Sequence, residues 1–220
     1  MAESLNQCAG PFGALYDFYV ERPRLMQAIG RLVWGVDVPL LYESIEATIP
    51  NVPARATILD VPCGGGVAFR GLRPDLDVRY IAGDLSEKML ERARERARER
   101  ARAASLEQVE LVRADMLALP FPSDTADLFV SYSGLHMVEQ QEHAVQEIAR
   151  CLKSGGELVG TTFLREGTRR QRMLFALGHR RGHALPPRRD DLHRWLLDAG
   201  FGDVEIRPES GFVAFRAHRA

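Results

Sequence analysis

Three consecutive glycines, Gly64, Gly65 and Gly66, close the stretch Ile58-Leu-Asp-Val-Pro-Cys-Gly-Gly-Gly66. Thr57, Ile58, Leu59 and Val61 are β-branched or apolar and suit a buried strand, and the glycines let the chain turn sharply and approach a ligand before the next helix. A strand, glycine turn and helix in that order cradle a nucleotide-like cofactor. Asp60 lies at the end of the strand, and a second carboxylate, Asp84, follows one βα unit later in Gly83-Asp-Leu-Ser86. A carboxylate at such a strand end can accept hydrogen bonds from both hydroxyls of a ribose. The spacing argues against two other cofactor loops. Counted from Gly64, the last position of a G-x-G-x-x-G fingerprint falls on Phe69, and no Lys-Ser or Lys-Thr pair follows the glycines as a phosphate-binding P-loop requires.

The elements that must hold these groups follow from periodicity. An aromatic cluster (Phe12, Leu15, Tyr16, Phe18, Tyr19) comes first, read as a flap packed on the domain. Arg24 to Thr48 carries apolar residues at helical spacing, with Gly35 and Pro39 marking a break. Val67 to Leu72 predicts a short helix, and Val78, Tyr80 and Ile81 a second strand; Ser86 suits the N-cap of the helix after it. That helix contains the run Glu91 to Arg102. Ala93, Ala97, Ala101 and Ala104 form a small-residue stripe, and Glu and Arg alternate as i,i+3 neighbours, so the run reads as a solvated, salt-bridge-laced helix rather than an RNA-binding one. Val109–Arg113 and Ala126–Ser131 are the next strands. The latter enters Tyr132-Ser-Gly-Leu-His-Met137, and since ligands of open α/β sheets sit beyond the carboxyl ends of the strands, Ser131, Tyr132 and His136 should lie near the chemistry. Helix 141–152, a helix stop at Lys153-Ser-Gly-Gly156, strand Glu157–Phe163, an arginine-rich segment 165–190, helix Asp190–Ala199, and strands Val204–Arg207 and Phe212–Phe215 complete the chain.

Asp60 with its glycine turn, the segment Gly83-Asp-Leu-Ser-Glu-Lys-Met-Leu90 and the segment Ile148-Ala-Arg-Cys-Leu-Lys-Ser-Gly-Gly-Glu-Leu158 resemble the class I S-adenosylmethionine-dependent methyltransferases, the quinone-biosynthesis and natural-product group among them. The departure is Pro62, which stands where the family commonly has its first glycine; proline removes a backbone donor, so the turn is expected to be built differently or to bind less tightly. The resemblance implies an α/β fold, a Rossmann-like seven-stranded mixed sheet whose last strand is antiparallel, with helices on both faces and an N-terminal helical cap. It divides the chain into an N-terminal flap and cap over 1–53 and a methyltransferase domain over 54–220 with a helical insertion at 165–190. It implies S-adenosyl-L-methionine as cofactor, held by Asp60, Cys63, Gly64, Gly66, Asp84, Leu85, Asp115, Met116 and Ser131, with Asp115 receiving the adenine amino group and its neighbour packing on the ring. Read without the resemblance, Asp115 is a turn former. Tyr16, Tyr19, Tyr132 and His136 would line the acceptor pocket, and His136 is the candidate base for a hydroxyl acceptor because imidazole titrates near neutral pH.

Composition narrows the function. The chain has 220 residues and a formal net charge of -1, which gives no global pull toward nucleic acid or an anionic membrane. Cys8, Cys63 and Cys151 are widely spaced and contain no C-x-x-C pair, which favours a reduced, cytoplasmic setting; no stretch approaches a membrane span. No N-P-P-Y or D-P-P-Y follows the fourth strand, against methylation of base or glutamine amino groups. Pro62-Cys63 sits in the first loop rather than the fourth, against a cytosine-C5 nucleophile, and no clustered ligand spacing suggests a metal. The expected function is transfer of a methyl group to oxygen or carbon of a small hydrophobic or aromatic acceptor. Two alternatives stay open: an RNA or protein methyltransferase using the 165–190 arginines, and a non-catalytic cofactor-binding scaffold or sensor. The expected partner is a small-molecule acceptor, without nucleic acid, and a homodimer is left open.

Overall fold

The computed structural model describes Gly30 and residues 39–104, 109–208 and 211–220. Tyr16, Tyr19 and the aromatic cluster around them lie outside the described residues. The described chain begins with helix α1 (Pro39–Thr48), which has proline at its first position, where a missing N–H leaves no bond unmade. It continues through β1 (Ala56–Asp60), a 3-10 turn at Val67–Gly71, β2 (Val78–Asp84), α2 (Glu87–Ala104) and β3 (Val109–Arg113). Then come β4 (Ala126–Tyr132), a 3-10 turn at Leu135–Met137, α3 (Gln141–Cys151), β5 (Leu152–Phe163), α4 (Arg169–His179), α5 (Arg189–Asp198), β6 (Phe201–Arg207) and β7 (Phe212–Arg219).

The strands form one seven-stranded sheet in the order β3-β2-β1-β4-β5-β7-β6. β1 to β5 pair in parallel, and β7 runs antiparallel to both β5 and β6. Side chains alternate across a strand, so β1 sends Leu59 to one face and Ile58 to the other. Leu59 joins Ile81, Phe129, Ile148 of α3 and Leu192 and Leu196 of α5 in one core layer. Ile58 joins Tyr80, Leu128, Phe69, Leu41 and Ile45 of α1 and Ala93 of α2 in the other. Strand order reverses between β1 and β4, and that is where an open sheet leaves a crevice above its carboxyl ends. No described helix is long and apolar enough to cross a membrane.

Two local readings are corrected by the fold. Lys153–Gly156 does not separate helix from strand: β5 starts at Leu152 directly after α3 and runs through the glycines. The register jumps from Ala126↔Leu152 to Leu128↔Glu157, so the Lys-Ser-Gly-Gly segment is taken up as an irregularity of the ladder, with Gly155 at φ +75. The arginines of α2 are also not all solvated. Arg96 donates to the carbonyl of Gly65 and Arg100 to that of Phe69, and both side chains are half-buried. The alanine stripe packs as expected, with Ala93 buried and Ala97 and Ala101 against the same core layer.

Candidate functional site

At the reversal of strand order the loops after β1, β2, β3 and β4 are tied to one another. Asp84, 8 % exposed at the end of β2, accepts hydrogen bonds from Gly64 N at one carboxylate oxygen and from Ser86 N at the other, each at 2.9 Å. Cys63 N donates to Gly83 O at 2.8 Å, and Ala114 N to Asp84 O at 3.1 Å. Each carboxylate oxygen accepts about two hydrogen bonds, so Asp84, with three backbone N–H groups about it, keeps acceptor capacity for an outside donor. Burial raises its pKa, and the three backbone N–H groups around it act against that shift.

The glycine turn needs its glycines. Gly64 has φ +52, and a Cβ built there would meet nothing within 4 Å, so its backbone faces open space. Gly66 has φ +82, and its Cβ would lie 2.4 Å from the ring of Phe69. Phe69 has no exposed surface and stands edge-on to Tyr80, so it has nowhere to move. Gly66→Ala combines a left-handed backbone with overpacking and should cost about 2–4 kcal/mol of stability, measured by urea denaturation. Gly64→Ala meets only the backbone term and should cost about 1 kcal/mol.

Asp60 and Tyr80 form a buried pair beneath this turn. Tyr80 donates to Asp60 at 2.8 Å, and Asp60 is 1 % exposed. Burial raises the Asp60 pKa to about 7; the Tyr80 hydrogen bond opposes this and the Asp84 charge adds to it. The folded protein therefore holds a proton at Asp60 between about pH 4 and 7 that the unfolded chain releases. Stability contributed by this group is full below pH 4 and is lost as pH rises toward 7. Asp60→Asn should remove that fall, about 2–3 kcal/mol between pH 5 and pH 7.5, when unfolding of the two proteins is compared at those two values.

The remaining sequence-predicted residues are placed as follows. Cys63 is buried with its Sγ directed at the Gly64 carbonyl, and burial raises its thiol pKa. Leu85 is half-buried beside Asp84. The Asp115 carboxylate accepts from Leu117 N at 2.9 Å, forming a turn, while Met116 is 4 % exposed and belongs to the core. Ser131 is fully buried and its Oγ has no hydrogen-bond partner among the described residues, an orphaned donor and acceptor at the end of β4. Tyr132 is buried in the other core layer, with Leu41 and Ile45 of α1, and its hydroxyl likewise has no hydrogen-bond partner among the described residues. Pro62 closes the first loop against the fourth: a Cβ on Gly134 would lie 2.1 Å from Pro62 Cδ. The neighbouring donors are in use, Val61 N to Val130 O and Cys63 N to Gly83 O, so the donor lost at Pro62 leaves the rest of the turn bonded.

His136 is half-buried. Its Nδ1 lies 3.3 Å from Thr162 Oγ1, and that hydroxyl donates to Phe163 O. With the hydroxyl's proton given to Phe163 O, its lone pair favours the tautomer protonated at Nδ1, which leaves the Nε2 lone pair available. Burial lowers the ring pKa to about 4, well below the near-neutral range on which its choice as a base rested, so the imidazole is neutral at pH 7 and a weaker base than the sequence suggests. The imidazole stands edge-on to Phe163 at 5.1 Å, and Phe163 touches Phe175 of α4 at 5.4 Å and Phe212 of β7 at 5.0 Å. Sequence reasoning missed this aromatic wall because it treated Phe163 and Phe212 only as strand ends.

A sheet of order 3-2-1-4-5-7-6 with an antiparallel seventh strand is the arrangement of the class I S-adenosylmethionine-dependent methyltransferase domain, and the chain carries one. Residues 59–160 match the family model described as methyltransferase domain. An uncharacterized chloroplastic methyltransferase of Arabidopsis thaliana is 39 % identical over 127 residues, 57 % of this chain and 36 % of that protein. A demethylmenaquinone methyltransferase of Bacillus licheniformis is 35 % identical over 111 residues, 50 % of this chain and 45 % of that protein. The chain thus spans less than half the length of these two relatives. A geranyl diphosphate methyltransferase solved with S-adenosylmethionine superposes with a TM-score of 0.67 at 16 % identity, over 84 % of this chain and 86 % of that one, a likeness of fold.

Proposed function

We propose that the protein transfers a methyl group from S-adenosylmethionine to oxygen or carbon of a small hydrophobic or aromatic acceptor. The observation that carries the reading is Asp84, which braces the glycine turn and keeps acceptor capacity for a further donor. In this reading Asp84 takes the ribose hydroxyls, the open backbone at Gly64 lies along the cofactor, Leu85, Asp115 and Met116 border the adenine, and Ser131 Oγ offers an unused polar contact. The cofactor supplies an electrophilic methyl carbon for in-line displacement. The chain's part is alignment, exclusion of water and removal of a proton. His136 Nε2 accepts the proton of a hydroxyl acceptor, and Phe163, Phe175 and Phe212 form the apolar wall that excludes water and selects an apolar acceptor. The relatives support the same class: one of them is by name a demethylmenaquinone methyltransferase.

The test has two arms. Calorimetric titration with S-adenosylmethionine and S-adenosylhomocysteine should give micromolar binding, and transfer of labelled methyl to a panel of quinols, phenols and prenylated acceptors should then show turnover. Binding without turnover on any acceptor would favour the scaffold reading; absence of binding at millimolar cofactor would remove the proposal.

A further inference from the structure

We infer that the outward face of α4 docks on an anionic lipid surface. From Gly167 to Arg189 the chain contains no Asp or Glu and seven arginines, in a protein whose formal net charge is -1. With 3.6 residues per turn, Met173 and Leu177 share one face of α4, and Arg169, Arg170 and Arg180 fall within the same outward sector, two at one end of the helix and one just past the other. The opposite side holds buried Gln171 and half-buried Phe175, which contacts Phe163. Met173 is 58 % exposed and Leu177 44 %. Large apolar side chains set between guanidinium groups on one exposed face are the arrangement of a helix lying in a membrane interface.

Two further observations point to an anionic partner. Among the described residues, no carboxylate pairs with Arg169, Arg170, Arg180 or Arg181. Arg169 and Arg170 also occupy the first turn of α4, which has no acidic residue there, so they oppose the helix dipole at the end where a negative group would be favoured. Lipid phosphates fit both the charge and the apolar centre, whereas a nucleic-acid backbone has nothing to cover Met173 and Leu177. Because Phe175 on the inner side of α4 contacts Phe163, docking of the outer side would hold the candidate acceptor site behind this helix, one helix away from the lipid.

The test is sedimentation of the full-length protein with vesicles of pure phosphatidylcholine and of phosphatidylcholine with one-third phosphatidylglycerol. Binding is expected to the second kind only, to weaken with salt, to fall about fivefold for each of Arg169→Gln and Arg170→Gln, and to fall at least tenfold in the Met173→Ser/Leu177→Ser variant. These are surface positions, and circular dichroism of each variant checks that it is folded. No binding to anionic vesicles would overturn the proposal. So would binding to a single-stranded RNA that is unaffected by the Met173→Ser/Leu177→Ser change, or self-association in sedimentation velocity abolished by that change. None of these readouts uses methyl transfer, so they stand apart from the acceptor proposal.

Discussion

His136→Ala is expected to lower kcat by about 10²- to 10⁴-fold on a hydroxyl acceptor while leaving the dissociation constant for S-adenosylmethionine within about twofold of wild type. The expectation rests on the ring's tautomer. Thr162 favours the tautomer protonated at Nδ1, in which Nε2 is the site on the ring able to take a proton. Burial holds the imidazole pKa at about 4, so the wild-type rate should stay level from pH 8 down to about 5 and fall as the pH approaches 4, where the imidazole becomes charged. Thr162→Val removes the hydroxyl without changing the side chain's outline and should lower kcat by a smaller factor, about tenfold, through loss of the favoured tautomer. A His136→Ala enzyme with undiminished kcat on a hydroxyl acceptor would confine the residue to a packing role against Phe163.

Asp84→Ala is expected to weaken S-adenosylmethionine binding by about 10²- to 10⁴-fold in calorimetry, corresponding to two hydrogen bonds to a charged acceptor at about 1.5–3 kcal/mol each. Two effects act together. The ribose partners are lost, and Gly64 N and Ser86 N lose the acceptor that holds the glycine turn over the end of β2. Asp84→Asn separates them, because an amide oxygen can still accept from one of the two backbone groups but cannot serve both. Its affinity should fall between those of wild type and Asp84→Ala. Equal affinity in all three proteins would show that the cofactor is held elsewhere and would withdraw Asp84 from the site.

The parts of this arrangement legible in the sequence are those set by local pattern. β1 and β2 follow from apolar runs, the turn from three glycines, and Asp84 from its place at a strand end. The site features that escaped are products of long-range pairing. Phe163, Phe175 and Phe212 come from β5, α4 and β7 and meet only because β7 inserts beside β5 with Phe163 opposite Phe212. Arg96 and Arg100 belong to a repeat that looks uniform along the helix; which arginines turn inward depends on where the glycine turn lies relative to α2. The helix stop at Lys153–Gly156 was a sound local inference overruled by the ladder, since the pairing of β4 with β5 extends to Leu152.

The contact between Pro62 and Gly134 makes two positions seventy-two residues apart behave as one choice. While proline occupies 62, a side chain at 134 would collide with its ring; with glycine at 62, the nearest remaining contact is Ser131 Oγ at 3.1 Å, a rotatable hydroxyl that can give way. Single changes at 134 are therefore closed to the protein until 62 has changed, whereas the reverse order is permitted, so the route by which this crevice can be remodelled has a direction.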